Sequence, residues 1–286
     1  MKILYITSLS HSGSTLLDVM LNAHPDIISV GEVKQLGRFA RFEKPRAQPG
    51  PGRKRKVARI RAGHPCTCGA ETLWSCPVWG KVSELTKAGC GHKIDQLNVE
   101  NYKDVEGFHR DNLAMFKAIA KVSGKNYIVD SSKHRDRLSL LLANPDLDVF
   151  PIFLLRNPKG QICSSLRKNL GDLSKLIYRY VLTNREIHDL VKPVPHAVVH
   201  YERLVRYPER TLGALMQEIG LEFDPQQLDW ANQVRHNVGG NHMRWSEESK
   251  LDLDETWREK LTFGQKFAID TGTLAGRYPF LRMGFR

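Results

Sequence analysis

No uninterrupted apolar run in this sequence is long enough to span a bilayer. The opening residues, MKILYITSLS, also lack the long apolar core and small-residue cleavage site of a secretory leader. Both absences point to a cytoplasmic chain with no transmembrane segment, whose first residues form a buried strand. No internal repeat is present, which sets repeat architectures aside. Residues 8–15, Ser-Leu-Ser-His-Ser-Gly-Ser-Thr, lie where a nucleotide-binding loop would be expected. They lack both the early glycine of a Walker A loop and the lysine before its final hydroxyl residue, which argues against ATP or GTP hydrolysis.

Hydrophobic residues make up 41% of the 286, enough for a real core, and the mean hydropathy of −0.40 fits a soluble protein. One sizeable domain with an insertion is the first expectation, two small domains the alternative. The formal charge of +12 attracts polyanions such as nucleic acid, an acidic membrane or a phosphate-rich ligand. Much of that charge falls in residues 38–61, so it need not belong to the active site.

Strand and helix patterns alternate. Apolar runs at 3–7, 127–129, 149–155 and 197–200 each lead into a helical pattern: 14–23, 137–143, a helix opened by Pro158, and one opened by Pro208. Such alternation predicts an α/β layer fold with a parallel sheet, whose ligands bind at the carboxyl ends of the strands. The pattern breaks between about 37 and 124. A basic, Pro/Gly-interrupted stretch comes first, then a cysteine-bearing stretch at 64–92, then a helix at 101–123. The expected organisation is a single domain over 1–286 carrying this insertion.

The first loop precedes a helix, whose unpaired N–H groups and positive dipole end favour an anion. Gly13 permits close approach, and Ser12, Ser14 and Thr15 add hydroxyl donors. A plain serine-capped helix start is the competing reading. Arg156, at the end of the 149–155 run and before a Pro-started helix, is placed to hold a second phosphate through its guanidinium fork. The competing reading is a strand-end arginine paired with a surface carboxylate.

The segment SGSTLLDVMLNAHPDIISVGEV resembles the 5'-phosphosulfate-binding region of sulfotransferases that use 3'-phosphoadenylyl sulfate (PAPS), tyrosylprotein and bacterial types in particular. Residues 154–165, LLRNPKGQICSS, resemble the family's 3'-phosphate site. HYERL, the following YPE and LEFDP at 221–225 are similar to a bacterial sulfotransferase signature with structural roles. GGNHMR at 239–244 with Trp257 is similar to the segment that closes over the nucleotide. The likeness covers residues 1–35 and roughly 125–286. It implies a P-loop-like three-layer α/β fold with a central parallel sheet flanked by helices.

It also implies sulfuryl transfer from PAPS to a hydroxyl acceptor, with release of 3',5'-ADP. By analogy with phosphoryl transfer, catalysis rests on alignment and charge stabilisation. Ser10, His11, Ser12, Gly13, Ser14 and Thr15 would bind the 5' side of the donor, and Arg156 and Ser164 its 3'-phosphate. Arg244 is a further phosphate ligand or a solvated loop arginine. His11 stands where the family usually has a lysine or arginine supporting the leaving phosphate. Glu32, after the second strand, is the candidate general base, with a loop ion pair as the bland alternative. Lys133 would assist the sulfonate or the leaving oxygen, and His134 is an alternative base; a solvent-facing polar cluster at a helix start is the competing reading for both. No metal is required by this chemistry.

The acceptor, whether phenol, sugar, lipid or peptide tyrosine, is not legible in the sequence, and neither is the oligomeric state. Rival readings are a P-loop-like nucleotide-dependent kinase and a nucleic-acid-binding protein using the basic insertion, Arg53-Lys54-Arg55-Lys56 above all. Specific nucleic-acid binding is not expected. Cys66, Cys68, Cys76 and Cys90, near His64 and His92, can bind zinc, form disulfides or stay reduced. The single residue between the first pair is short for a zinc site. Cys163 is expected to be a packed thiol.

Overall fold

The computed structural model describes residues 1–41 and 66–275. The basic run and His64 lie outside them. Five parallel strands form one sheet in the order β2-β3-β1-β4-β5. They are β1 (Lys2–Thr7), β2 (Ile27–Gly31), β3 (Tyr127–Lys133), β4 (Asp148–Leu155) and β5 (Ala197–His200). Position in the sheet follows from sequence. The KILYIT of β1 is apolar on both faces and is buried from Ile3 onward, as a central parallel strand must be. Short β5, AVVH, lies at the edge and exposes Val198.

Helices flank the strands. They are α1 (Ser14–Asn22), α2 (Leu36–Ala40), α3 (Trp79–Cys90), α4 (Val105–Ser123), α5 (Arg135–Leu142), α6 (Pro158–Leu166), α7 (Leu173–Val191), α8 (Tyr201–Arg206), α9 (Pro208–Ile219), α10 (Trp257–Lys260) and α11 (Phe263–Ala275). Among the described residues no helix is long and apolar enough to cross a membrane.

The α/β architecture predicted from alternation is the one observed. Pro158 and Pro208 each occupy a helix's first turn, where a missing N–H costs nothing. The helix expected at 101–123 begins at Val105, because Asp104 caps it by accepting from the Gly107 N–H at 3.0 Å. β3 runs four residues past its apolar core, through Asp130-Ser131-Ser132 to Lys133.

Two compact units can be delimited. The first comprises Met1–Tyr5, Thr15–Phe150 and Asp224–Ser249; the second comprises Ile6–Ser14, Pro151–Phe223 and Lys250–Arg286. In the first, the fully buried Asp130–Arg137 pair fixes the end of β3: Asp130 Oδ2 accepts from Arg137 Nε at 2.9 Å, and Oδ1 from the Ser132 N–H at 2.9 Å. Arg137 also donates to the Val99 carbonyl at 2.8 Å, tying the returning insertion to the same point. A buried charge pair of this kind specifies geometry more than it adds stability.

Candidate active site

In the second unit, the loop after β1 and the end of β4 form one cradle. Gly13 has φ +91, and a Cβ built there would lie 2.4 Å from Tyr201 Cδ2. The position therefore demands glycine on two counts, conformation and space. Ser12 and Ser14 are buried beside it. His11 has φ +69, a strained backbone for a non-glycine residue.

Arg156 is buried and reaches this loop directly. Its Nη1 donates to the His11 carbonyl at 2.8 Å, and its guanidinium lies 4.6 Å from the centre of the Tyr201 ring. Nη2 donates to Asp254 Oδ2 at 2.9 Å. Burial pushes the Asp254 carboxyl up, but the Thr256 hydrogen bond and the Arg156 pairing outweigh it and hold the group below the usual carboxylate range. Gln161 Nε2 donates to the Ser10 carbonyl at 3.0 Å, a second tie between α6 and the loop. Ser164 is half-buried on α6, while Ser165 beside it turns inward to the Gln161 carbonyl. Two polar atoms here are buried without a hydrogen-bond partner among the described residues: Ser8 Oγ and Arg156 Nε. Such groups are costly unless something satisfies them. An anion at the loop would do so.

Thr15 and Arg244 belong to the first unit. Arg244 is buried, not solvated; its Nη1 donates to the Asn237 carbonyl at 3.3 Å, between the rings of Phe39 and Trp245. Thr15 Oγ1 accepts from the Asn241 N–H at 3.5 Å.

Also in the first unit, the carboxyl ends of neighbouring β2 and β3 carry Glu32 and Lys133. The buried Glu32 carboxylate takes a hydrogen bond from Lys133 Nζ on one oxygen and one from Gln35 Nε2, at 2.6 Å, on the other. The Glu32 N–H donates to the Val238 carbonyl at 2.7 Å, and Gly31, at φ +72, has no room for a Cβ against that carbonyl. Lys133 has φ +68. Only three non-glycine residues among those described have positive φ, and two of them, His11 and Lys133, are candidate site residues, which is where strain concentrates. His134 instead stacks on Tyr102 at 5.2 Å, and burial holds its imidazole below the ordinary histidine value.

A model of the sulfotransferase family matches residues 4–225. The chain belongs to the sulfotransferase family. The fold is similar to the sulfotransferase domain of the Synechococcus PCC 7002 olefin synthase, with 20% identity, a TM-score of 0.58 and coverage of 97% of this chain and 95% of that one. It is similar also to the sulfotransferase domain of the curacin biosynthetic pathway, with 17% identity, a TM-score of 0.53 and coverage of 96% and 97%. Among curated proteins none matches the sequence.

Within this sulfotransferase, the structure brings Ser10, His11, Ser12, Gly13 and Arg156 together, and it pairs Glu32 with Lys133. Two residues of the first cradle escaped sequence reading. Tyr201 forms its floor under Arg156, although the HYERL segment was expected to be structural only. Lys168, an exposed lysine past the end of α6, places Nζ 3.2 Å from His11 Nδ1. Neither carries a local signal; each reaches the loop through the fold.

Proposed function

We propose that this sulfotransferase moves the sulfuryl group of PAPS onto a hydroxyl acceptor. The observation that carries the reading is the buried Arg156 guanidinium clamped to the loop of residues 8–13; its Nε and the Ser8 Oγ have no hydrogen-bond partner among the described residues. Such an arrangement suits an anionic nucleotide. Ser10, His11, Ser12, Gly13 and Ser14, with Ser8, hold its 5' side, and Arg156 with Ser164 holds the 3'-phosphate. PAPS supplies an activated sulfuryl group, so an S–O bond to the acceptor forms as the S–O bond to the phosphate breaks, and 3',5'-ADP leaves.

Glu32 takes the acceptor hydroxyl proton, and Gln35 fixes the direction of its carboxylate. Lys133 offers its ammonium to the transferring group. Lys168 supplies the cation that relatives carry at the position of His11. A phosphate-rich donor explains the loop chemistry better than a kinase reading, since the P-loop lysine is missing. Expected partners are small-molecule, sugar, lipid or peptide hydroxyls.

The test is release of 3',5'-ADP from PAPS, followed with a panel of phenols, sugars, fatty alcohols and tyrosine peptides. Acceptor-dependent release supports the reading. Equal turnover of ATP and PAPS would replace it with the kinase.

A further inference from the structure

The cysteine-bearing insertion folds against a distant histidine. Cys66 Sγ lies 3.4 Å from Cys68 Sγ and 3.6 Å from Cys76 Sγ, and Cys68 and Cys76 are 3.7 Å apart. His236 Nδ1 completes the group, 3.3 Å from Cys76 and 3.9 Å from Cys66. All four atoms fall within 4.8 Å of one another.

These separations are those of a tetrahedron around a metal. Zinc bonds of about 2.3 Å to sulfur and 2.0–2.1 Å to nitrogen put neighbouring sulfurs roughly 3.8 Å apart and sulfur and nitrogen roughly 3.6 Å apart. The three sulfurs are nearly equidistant, so no two of them are singled out as a disulfide pair, and all are free thiols. Cys66 and Cys76 are fully buried, so the centre would be closed to solvent on that side. A closed Cys₃His set is a structural zinc arrangement, and its soft sulfur donors select zinc over hard cations.

We infer that Cys66, Cys68, Cys76 and His236 bind one structural zinc ion. Cys90, which sequence reading grouped with the other three, is not a ligand; its thiol donates to the Thr86 carbonyl at 3.2 Å. It does lie with His92 and Asp111, but both Asp111 oxygens are taken, by His92 and the Asn98 N–H on one and by Arg110 on the other. The single residue between Cys66 and Cys68 is unusual, and Gly69, at φ +85, turns the chain just after it.

The site has a structural purpose. The His236 carbonyl accepts from Trp79 Nε1 at 2.8 Å, and the Asn237 N–H donates to Thr67 Oγ1 at 2.9 Å. Val238, two residues on, bonds to Val30 and to the Glu32 N–H. Zinc therefore staples the insertion to the segment that backs Glu32.

Metal content of the full chain, purified without a polyhistidine tag or chelator, tests this. About one zinc per chain is expected, released by a mercurial thiol reagent. Exchange with cobalt(II) should give the intense ligand-field bands of a tetrahedral ion and a sulfur-to-cobalt charge-transfer band. His236→Ala and Cys76→Ser should weaken zinc retention at least about tenfold, whereas Cys90→Ser keeps the full complement. Should the first two variants fail to fold, the cobalt spectrum of the unaltered chain decides alone. A metal-free protein that takes up no zinc on reconstitution, an octahedral cobalt spectrum, or loss of metal in Cys90→Ser would each overturn the assignment.

Discussion

Asp254 Oδ2 sits 2.9 Å from Nη2 of Arg156, so a half-exposed carboxylate occupies part of the guanidinium fork assigned to the 3'-phosphate. A carboxylate and a phosphate compete for the same donors. Asp254→Ala should therefore tighten 3',5'-ADP binding by roughly three- to tenfold, about 1 kcal/mol, the scale of a partly exposed ion pair. Calorimetric titration measures it. Weaker binding would mean that Asp254 positions Arg156 and does not compete with the ligand.

Glu32 is assigned the acceptor proton. Glu32→Gln keeps the shape and the contact with Gln35 but removes the base. Turnover should fall at least about 100-fold, while affinity for 3',5'-ADP stays within about twofold. Turnover near that of the parent would remove Glu32 from the chemistry.

Gly13 is held by both its backbone and Tyr201. Gly13→Ala should cost roughly 1–3 kcal/mol in a urea unfolding series and weaken nucleotide binding. Adding Tyr201→Ala relieves the clash but not the positive φ. The double variant should therefore lose less than the sum of the singles.

Asp18 is buried against Ser29 and Asn237, and burial pushes its carboxyl up to about 7 despite the hydrogen bonds from Ser29 and Ser131 and the Lys133 charge. The folded state thus holds this proton more tightly than the unfolded chain. Its stabilising effect is complete below about pH 4 and is lost as pH rises toward 7, by up to about 1.4 kcal/mol per pH unit. His200 has the opposite sign, because burial and Arg203 hold it down to about 4. It costs stability as pH falls below about 6.5. Asp18→Asn should remove the first effect and expose the second, so the variant's unfolding midpoint falls more steeply on acidification than the parent's between pH 6.5 and 4. Parallel profiles would contradict this.

The sheet was legible because β1 and β4 are apolar on both faces, and Pro158 after β4 and Pro208 after β5 mark two of the helix starts. The 19-residue α7 carries neither glycine nor proline and was missed, as was α3 inside the insertion. Loop 8–15, Arg156 and Glu32 stood out as candidates because each lies at a strand end, where their residue types suggest the chemistry. Tyr201, Lys168 and His236 could not. His236 meets Cys76 across 160 residues, a distance no spacing rule covers. Which cysteines share a centre was likewise decided by folding: Cys90 is close in sequence to the cluster and separate from it in space.

Titration of the protein with 3',5'-ADP and with 5'-AMP, repeated on Arg156→Ala, tests the central assignment most directly. The parent should prefer the bisphosphate by at least about tenfold, roughly 1.4 kcal/mol, and the variant should lose that preference. Equal affinity of the parent for the two nucleotides, or an unchanged preference in the variant, would contradict it.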